Sequence, residues 1–134
     1  MKANLKKALG LAALGMTLLA NTVPTWAGYV DYRGVIIEPK TSYPNETEAF
    51  GSMVGTRDSA DNKQYIGCSL DAAPFVTCSA VDSTGKFAGC ISYDAGHIDA
   101  VQKMTDSSFI AFRFNRANAT CVKVEINNNS FGLR

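Results

Sequence analysis

The chain has 134 residues, 46% of them hydrophobic and 19% charged, with a formal net charge of +1. Three of its 13 basic residues, Lys2, Lys6 and Lys7, lie in the first 27 positions and none of the 12 acidic residues does, so residues 28–134 carry ten basic against twelve acidic groups. With the remaining bases scattered, no cluster could neutralise a row of phosphates, which argues against a nucleic-acid or anionic-membrane partner.

The opening stretch reads as an export signal. MKANLKK supplies positive charge, ALGLAALGMTLLA is an uncharged apolar run, and NTVPTWA breaks it and ends on small residues. That order is the order of a secretory leader, with cleavage expected after Ala27. The apolar run is shorter than the roughly 20 residues a membrane-spanning helix needs, so no membrane insertion is expected after cleavage. The expected destination is the periplasm or the medium, with residues 28–134 forming one domain preceded by a short lead-in.

Residues 28–48, GYVDYRGVIIEPKTSYPNETE, contain two prolines and one short apolar run, Val35–Ile37. They read as a loosely held lead-in with one edge strand at most. Tyr29, Tyr32 and Tyr43 are candidate binding residues along it.

The disulfide-stabilised domain is expected over residues 49–134. AFGSMVGTR reads as a first strand rich in small residues. QYIGCSL alternates, with Ile66, Cys68 and Leu70 on one face and Tyr65, Gly67 and Ser69 on the other. FVTCSAV alternates again after the DAAP turn, placing Val76, Cys78 and Ala80 together. DSTG is a turn signal, with Asp82 first and Gly85 last, and KFAGCIS is a further strand. A helix is expected from Asp94, its N-cap, to about Met104, with Ile98, Val101 and Met104 on one face. SSFIAFRFN then presents Ile110, Phe112 and Phe114 on one face. After the RANA turn, TCVKVEI presents Val122, Val124 and Ile126 on one face, with Cys121, Lys123 and Glu125 opposite. The predicted fold is α+β: a small antiparallel sheet of five to six strands with one helix packed on one face.

The four cysteines, Cys68, Cys78, Cys90 and Cys121, are even in number and none lies in a CxxC pair. Neither a thioredoxin-type redox motif nor the close ligand pairs of a structural zinc site is present, so two disulfides are the expected state in an exported chain. Four cysteines allow three pairings. Hairpin geometry favours Cys68–Cys78 with Cys90–Cys121, although Cys78 could equally face Cys90.

Catalytic signals are weak. His97 is the single histidine, and Asp94 and Asp99 beside it read more simply as a helix cap and a solvated face. No G-x-S-x-G elbow occurs. Asp71, Asp82, Asp94 and Asp106 fall where turn and cap chemistry favours aspartate, so they do not read as a glycosidase pair. Arg113 and Arg116, flanking the last turn beside Asn115 and Asn118, are candidate binding residues for an acidic partner. No cofactor is expected in so small a domain.

The segments SMVGTRDSADNKQYIGC, DSTGKFAGC, DSSFIAFRFN and TCVKV together resemble a family of small uncharacterised exported bacterial proteins. The family shares a four-cysteine frame and an R-x-S-A-D…Q-Y-I-G-C motif, here Arg57–Asp61 and Gln64–Cys68. The resemblance spans residues 51–130 and implies export, disulfides and a compact domain, with no activity, ligand or catalytic residue attached. The expected function is a binding or interaction module that engages, and could inhibit, another protein. The alternatives are a surface component that docks through residues 28–48 and a small hydrolase.

Overall fold

A computed structural model describes residues 33–128 except Ala73; the expected leader, Tyr29 and Tyr32 lie outside the described residues. Within them the chain forms β1 (Ile36–Pro39), β2 (Glu46–Ser52), α1 (Met53–Arg57), β3 (Tyr65–Leu70), β4 (Val76–Val81), β5 (Phe87–Ser92), α2 (Ala95–Gln102), β6 (Phe109–Asn115) and β7 (Thr120–Asn127). The strands make one sheet in the order β1-β2-β6-β7-β5-β4-β3. The α+β class and the disulfides agree with the sequence reading. The sheet, however, has seven strands rather than five or six, and it is mixed rather than antiparallel throughout.

The extra strand comes from the lead-in. Residues 36–39 pair antiparallel with β2, Ile36 opposite Phe50 and Pro39 opposite Thr47. β2 itself begins at Glu46, so the boundary expected at residue 49 falls inside a strand. Pro39 sits on an edge strand, where a missing N–H costs no ladder bond. The first domain strand is also shorter than expected. Ser52 ends it by capping α1, its Oγ accepting from the Gly55 N–H at 3.2 Å while Thr56 Oγ1 donates to the Ser52 carbonyl at 2.7 Å. A serine hydroxyl offers the backbone a helical start, and that local bond wins over continued extension.

The mixed character has one source. β3-β4-β5 is an antiparallel meander, and β1-β2-β6-β7 is a second antiparallel block. The blocks meet where β5 runs parallel to β7, through a single residue pair, Ile91 with Thr120. The backbone bond at this seam is Ile91 N–H to the Ala119 carbonyl at 2.9 Å. The crossover from β5 is the segment containing α2, as a parallel connection requires.

The sheet curls so that its far ends approach each other. Gln64, just before β3, accepts from the Val35 N–H at 2.7 Å, and Lys86 in the β4–β5 turn donates to the Ile37 carbonyl at 3.1 Å. Gln64 is held in turn by Asp61, whose Oδ2 accepts from its side-chain amide at 2.5 Å. The Asp61 and Gln64 of the R-x-S-A-D…Q-Y-I-G-C motif therefore form a latch between opposite ends of the sheet. Gln64→Ala should lower stability by about 1–2 kcal/mol, the cost of leaving a part-buried N–H without its acceptor; equilibrium denaturation unchanged by the substitution would show that the latch contributes nothing.

The concave face holds the core. Every strand contributes to it: Val35 and Ile37 beside and on β1, Ala49, Ile66, Cys68, Val76, Cys78, Ala80, Ala88, Cys90, Ile110, Phe112, Cys121 and Val124, joined by Val101 from α2. Asp94 caps α2 as expected, its Oδ1 accepting from the Gly96 and His97 N–H groups at 2.8 and 3.1 Å. Ile98 and Met104 pack half-buried on the core beside Phe114 and Ile126. Ile110 and Phe112 are the largest fully buried side chains; much of the rest is alanine, valine and cysteine. A core this lean is the situation in which crosslinks matter most.

One predicted face was wrong. Alternation in TCVKVEI puts Val122 on the face of Val124 and Cys121 opposite, yet Cys121 at 5% exposure is buried with Val124 at 8%, and Val122 is 42% exposed. The ladder slips between Arg113 and Phe114: Arg113 faces Lys123 but Phe114 faces Cys121, leaving Val122 as the extra residue of a bulge. An inserted residue reverses the in–out alternation on one side of it. That reversal turns Cys121 inward, toward Cys90.

The two disulfides are Cys68–Cys78, with Cα atoms 4.0 Å apart, and Cys90–Cys121, 5.1 Å apart. They place the fold in the class that persists in oxidising, non-cytoplasmic surroundings. No helix among the described residues is long and apolar enough to cross a membrane.

Two loop aspartates, Asp61 before β3 and Asp82 in the β4–β5 turn, are titration markers. Asp82 Oδ1 accepts from the Thr84 hydroxyl at 2.6 Å, the Thr84 N–H at 2.9 Å and the Lys86 N–H at 3.0 Å. These bonds, the Thr84 hydroxyl foremost, hold its carboxyl below the ordinary aspartate value. Asp61 is lowered likewise, chiefly by the Lys63 N–H. A carboxyl whose folded-state pKa is depressed stabilises the fold above its unfolded value, and that contribution fades as pH falls through the lowered one. The Thr84 amide resonance should accordingly titrate with a midpoint below the usual aspartate range, and Asp82→Asn should abolish the transition; a midpoint at or above that range would contradict the turn geometry.

Candidate interaction face

The convex face divides along the seam between β5 and β7. On the β1-β2-β6-β7 side it carries ion pairs: Lys40 with Glu48, Arg113 Nε with Glu46 Oε2 at 2.8 Å, and Lys123 Nζ with Glu125 Oε2 at 2.6 Å. On the β3-β4-β5 side it carries no charge. The register sets out three cross-strand rows there: Tyr65–Val81–Phe87, Gly67–Ser79–Gly89 and Ser69–Thr77–Ile91. Each member alternates with a residue of the cysteine-bearing face, so the period-two pattern that buries Cys68, Cys78 and Cys90 forces these nine outward.

Four large side chains stand exposed on this surface: Tyr65 at 41%, Phe87 at 66%, Ile91 at 44% and Tyr93 at 75%. Tyr93 leans on Phe75, ring centroids 5.6 Å apart at 48°. The Tyr65 hydroxyl donates to Ser79 Oγ across the β3–β4 pair. The middle row is low. A Cβ at Gly67 would meet nothing within 4 Å, whereas one at Gly89 would lie 2.8 Å from Phe87 Cζ, because that ring folds down over the glycine. The result is an uncharged floor of glycine and hydroxyl groups with aromatic rings rising at both ends.

The sequence-selected residues sit elsewhere. Tyr43, Arg113 and Arg116 do come together, but within the chain's own structure. The Arg113 guanidinium lies 4.6 Å above the Tyr43 ring while its Nε meets Glu46. The Arg116 N–H donates to the Asn45 carbonyl at 2.9 Å and its guanidinium to the Pro44 carbonyl. These contacts tie the β1–β2 loop to the β6–β7 turn. The residues of the uncharged face were not singled out from sequence, although the signal was present: Tyr65 and Phe87 each lie at odd spacing from the cysteine of their own strand.

His97 has a partner that the sequence reading did not assign. Its Nδ1 lies 2.7 Å from Ser92 Oγ, which also accepts from the Asp94 N–H at 3.1 Å. Which of the two supplies the proton in this bond is set by the imidazole tautomer. Ser92 is 3% exposed and Asp94 is occupied with capping, so the pair joins the end of β5 to α2 and presents no nucleophile to a substrate. Among the described residues no group of three or more His, Cys, Asp or Glu side chains could hold a metal ion.

No family model, no curated protein and no solved structure matches the chain.

Proposed function

We propose that the chain is a small exported disulfide-bonded binding module, acting in the periplasm or outside the cell, that docks another protein on the uncharged convex face of β3-β4-β5. One observation carries this reading: Phe87 and Tyr93, 66% and 75% exposed, stand on a sheet surface whose nine paired positions include no charged residue. Isolated exposed apolar residues are ordinary, but aromatic side chains grouped on a rigid sheet resemble the anchors that dominate protein interfaces. The absence of charge favours a partner with an apolar, uncharged surface over a phosphate-bearing or acidic one. A sheet face without enclosing walls favours a macromolecule over a small ligand, which would bind in a concave pocket.

Docking through the lead-in draws less support, because Tyr43 is stacked under Arg113 and residues 36–39 and 46–48 are paired in the sheet. The hydrolase reading rests on His97, whose serine partner is buried.

A photo-crosslinking side chain placed at position 87 or 93 of the full chain, expressed in its own cells, tests the proposal. A defined protein adduct at both positions, absent from a control probe at Glu38, is the expected result. Phe87→Ser with Tyr93→Ser should then weaken binding of that partner more than tenfold, each anchor contributing above 1 kcal/mol, with stability changed by under about 0.5 kcal/mol per site. No adduct beyond the control, or retention of glycan rather than protein by the same face, would overturn it.

A further inference from the structure

The cysteines are arranged as a row. Cys68, Cys78 and Cys90 are direct cross-strand partners on β3, β4 and β5, and Cys90 is bonded to Cys121 on β7, the next strand across. All four lie on the buried face, at 7%, 0%, 3% and 5% exposure in that order. Cys78 thus has two cysteine neighbours: Cys68, to which it is bonded, and Cys90, to which it is not. Directly opposed residues of antiparallel strands have Cα atoms about 4.5–5.5 Å apart, inside the range that a disulfide spans. Cys68, on the terminal strand of the sheet, is the most accessible of the four.

We infer that this row is a thiol–disulfide relay, which passes a reductive opening at Cys68 inward and releases Cys121. The reductant is an external thiol of the exported compartment, small molecule or protein. Its thiolate attacks Cys68 Sγ, a mixed disulfide forms there, and the Cys68–Cys78 bond breaks with its electron pair leaving on Cys78. The Cys78 thiolate attacks Cys90 Sγ. A Cys78–Cys90 bond forms, the Cys90–Cys121 bond breaks, and Cys121 departs as a thiolate that takes a proton from water. A second external thiolate attacks the external sulfur of the mixed disulfide and frees Cys68. In sum two external thiols become one external disulfide, and the protein gains two electrons and two protons as the Cys68 and Cys121 thiols.

The exchange keeps one protein disulfide and changes what it connects. Cys90–Cys121 crosses the seam between the two blocks, whereas Cys78–Cys90 lies inside the β3-β4-β5 meander. Afterwards no covalent bond crosses from β5 to β7, and their ladder consists of the Ile91–Thr120 pair with its Ile91 N–H to Ala119 bond. The row is therefore a redox-sensitive clasp: reduction at the outer strand unfastens the middle of the sheet.

Limited reduction of the oxidised protein with glutathione or dithiothreitol, followed by acid quenching, alkylation and peptide mapping, tests this. The expected two-electron product carries a Cys78–Cys90 crosslink with Cys68 and Cys121 both alkylated, and its mixed-disulfide precursor carries glutathione on Cys68 only. An intact Cys90–Cys121 bond with Cys68 and Cys78 alkylated would overturn the relay. So would an indiscriminate mixture of all pairings, which signals scrambling through unfolding. Cys68→Ser removes the need for a reductant: Cys78 should pair with Cys90, Cys121 should react with alkylating agent, and the Ile91 amide should exchange with solvent at least tenfold faster than in the parent. Alkylation of Cys78 with Cys90–Cys121 retained would sink the idea, and if that variant does not fold the parent's reduction products decide alone.

Discussion

Replacing Cys90 and Cys121 together by alanine is expected to lower the unfolding free energy by about 3.7 kcal/mol, against about 2.7 kcal/mol for the Cys68 and Cys78 pair, taking loop entropy alone. The sequence separations behind these figures are 31 and 10 residues. The structural argument widens the gap. Cys68–Cys78 reinforces β3 and β4, already paired over six residues, whereas Cys90–Cys121 spans a seam with one paired residue on each strand. For a domain whose whole stability is on the order of 5–15 kcal/mol, loss of the seam bond approaches the unfolding threshold. Urea denaturation of the two double variants at a common temperature measures both. Equal losses, or a larger loss for Cys68 and Cys78, would show that the seam is held by something other than its disulfide.

Phe112→Ala is expected to cost about 3–5 kcal/mol, as much as either disulfide. Phe112 is 1% exposed on β6, with Ala49 opposite on β2 and Val124 opposite on β7. Its ring lies 6.2 Å from that of Phe114. It is the one aromatic ring among the fully buried side chains of the described residues, and its flanking alanine and valine are too small to collapse into the space it would leave. Phe112→Leu, which keeps most of the volume, should recover more than half of the loss. If alanine and leucine behaved alike, the cavity argument would fail. The half-buried Phe114 should tolerate alanine better, because solvent reaches part of the site.

The meander and α2 were legible because each repeats a simple rule. Alternation in QYIGCSL, FVTCSAV and KFAGCIS fixes the strands, a polar turn separates each pair, and Asp94 announces the helix. Hairpin geometry suits Cys68–Cys78 and Cys78–Cys90 alike, so sequence leaves the pairing open; the preferred one, Cys68–Cys78 with Cys90–Cys121, is the pairing found. Three features escaped for physical reasons. β1 is four residues long and contains a proline, so its pairing depends on β2 and on Gln64 and Lys86, residues far away in sequence. The bulge at Val122 leaves no mark in TCVKVEI, whose alternation reads cleanly with the wrong parity; a tertiary demand, turning Cys121 toward Cys90, overrides it. The helix at Met53–Arg57 depends on one serine hydroxyl inside a stretch whose composition suits a strand.

The candidate site was less legible than the fold. Exposure of an aromatic residue is a statement about what does not cover it, and no local pattern encodes that. Tyr43 and Arg113 looked like separate residues and instead stack on each other, leaving Tyr43 49% exposed. Phe87 looked like ordinary strand filling, and became conspicuous only once Cys90 had fixed which side of β5 is inside.

The contacts made by Gln64 and Lys86 have a further consequence. A terminal β-strand with a vacant row of amides and carbonyls invites a foreign strand to add on, the first event of fibril growth and of many swapped dimers. Along β1 and just before it, the Ile37 carbonyl and the Val35 N–H are already taken by side chains from the opposite end of the same sheet. The molecule thereby blunts this border with its own residues.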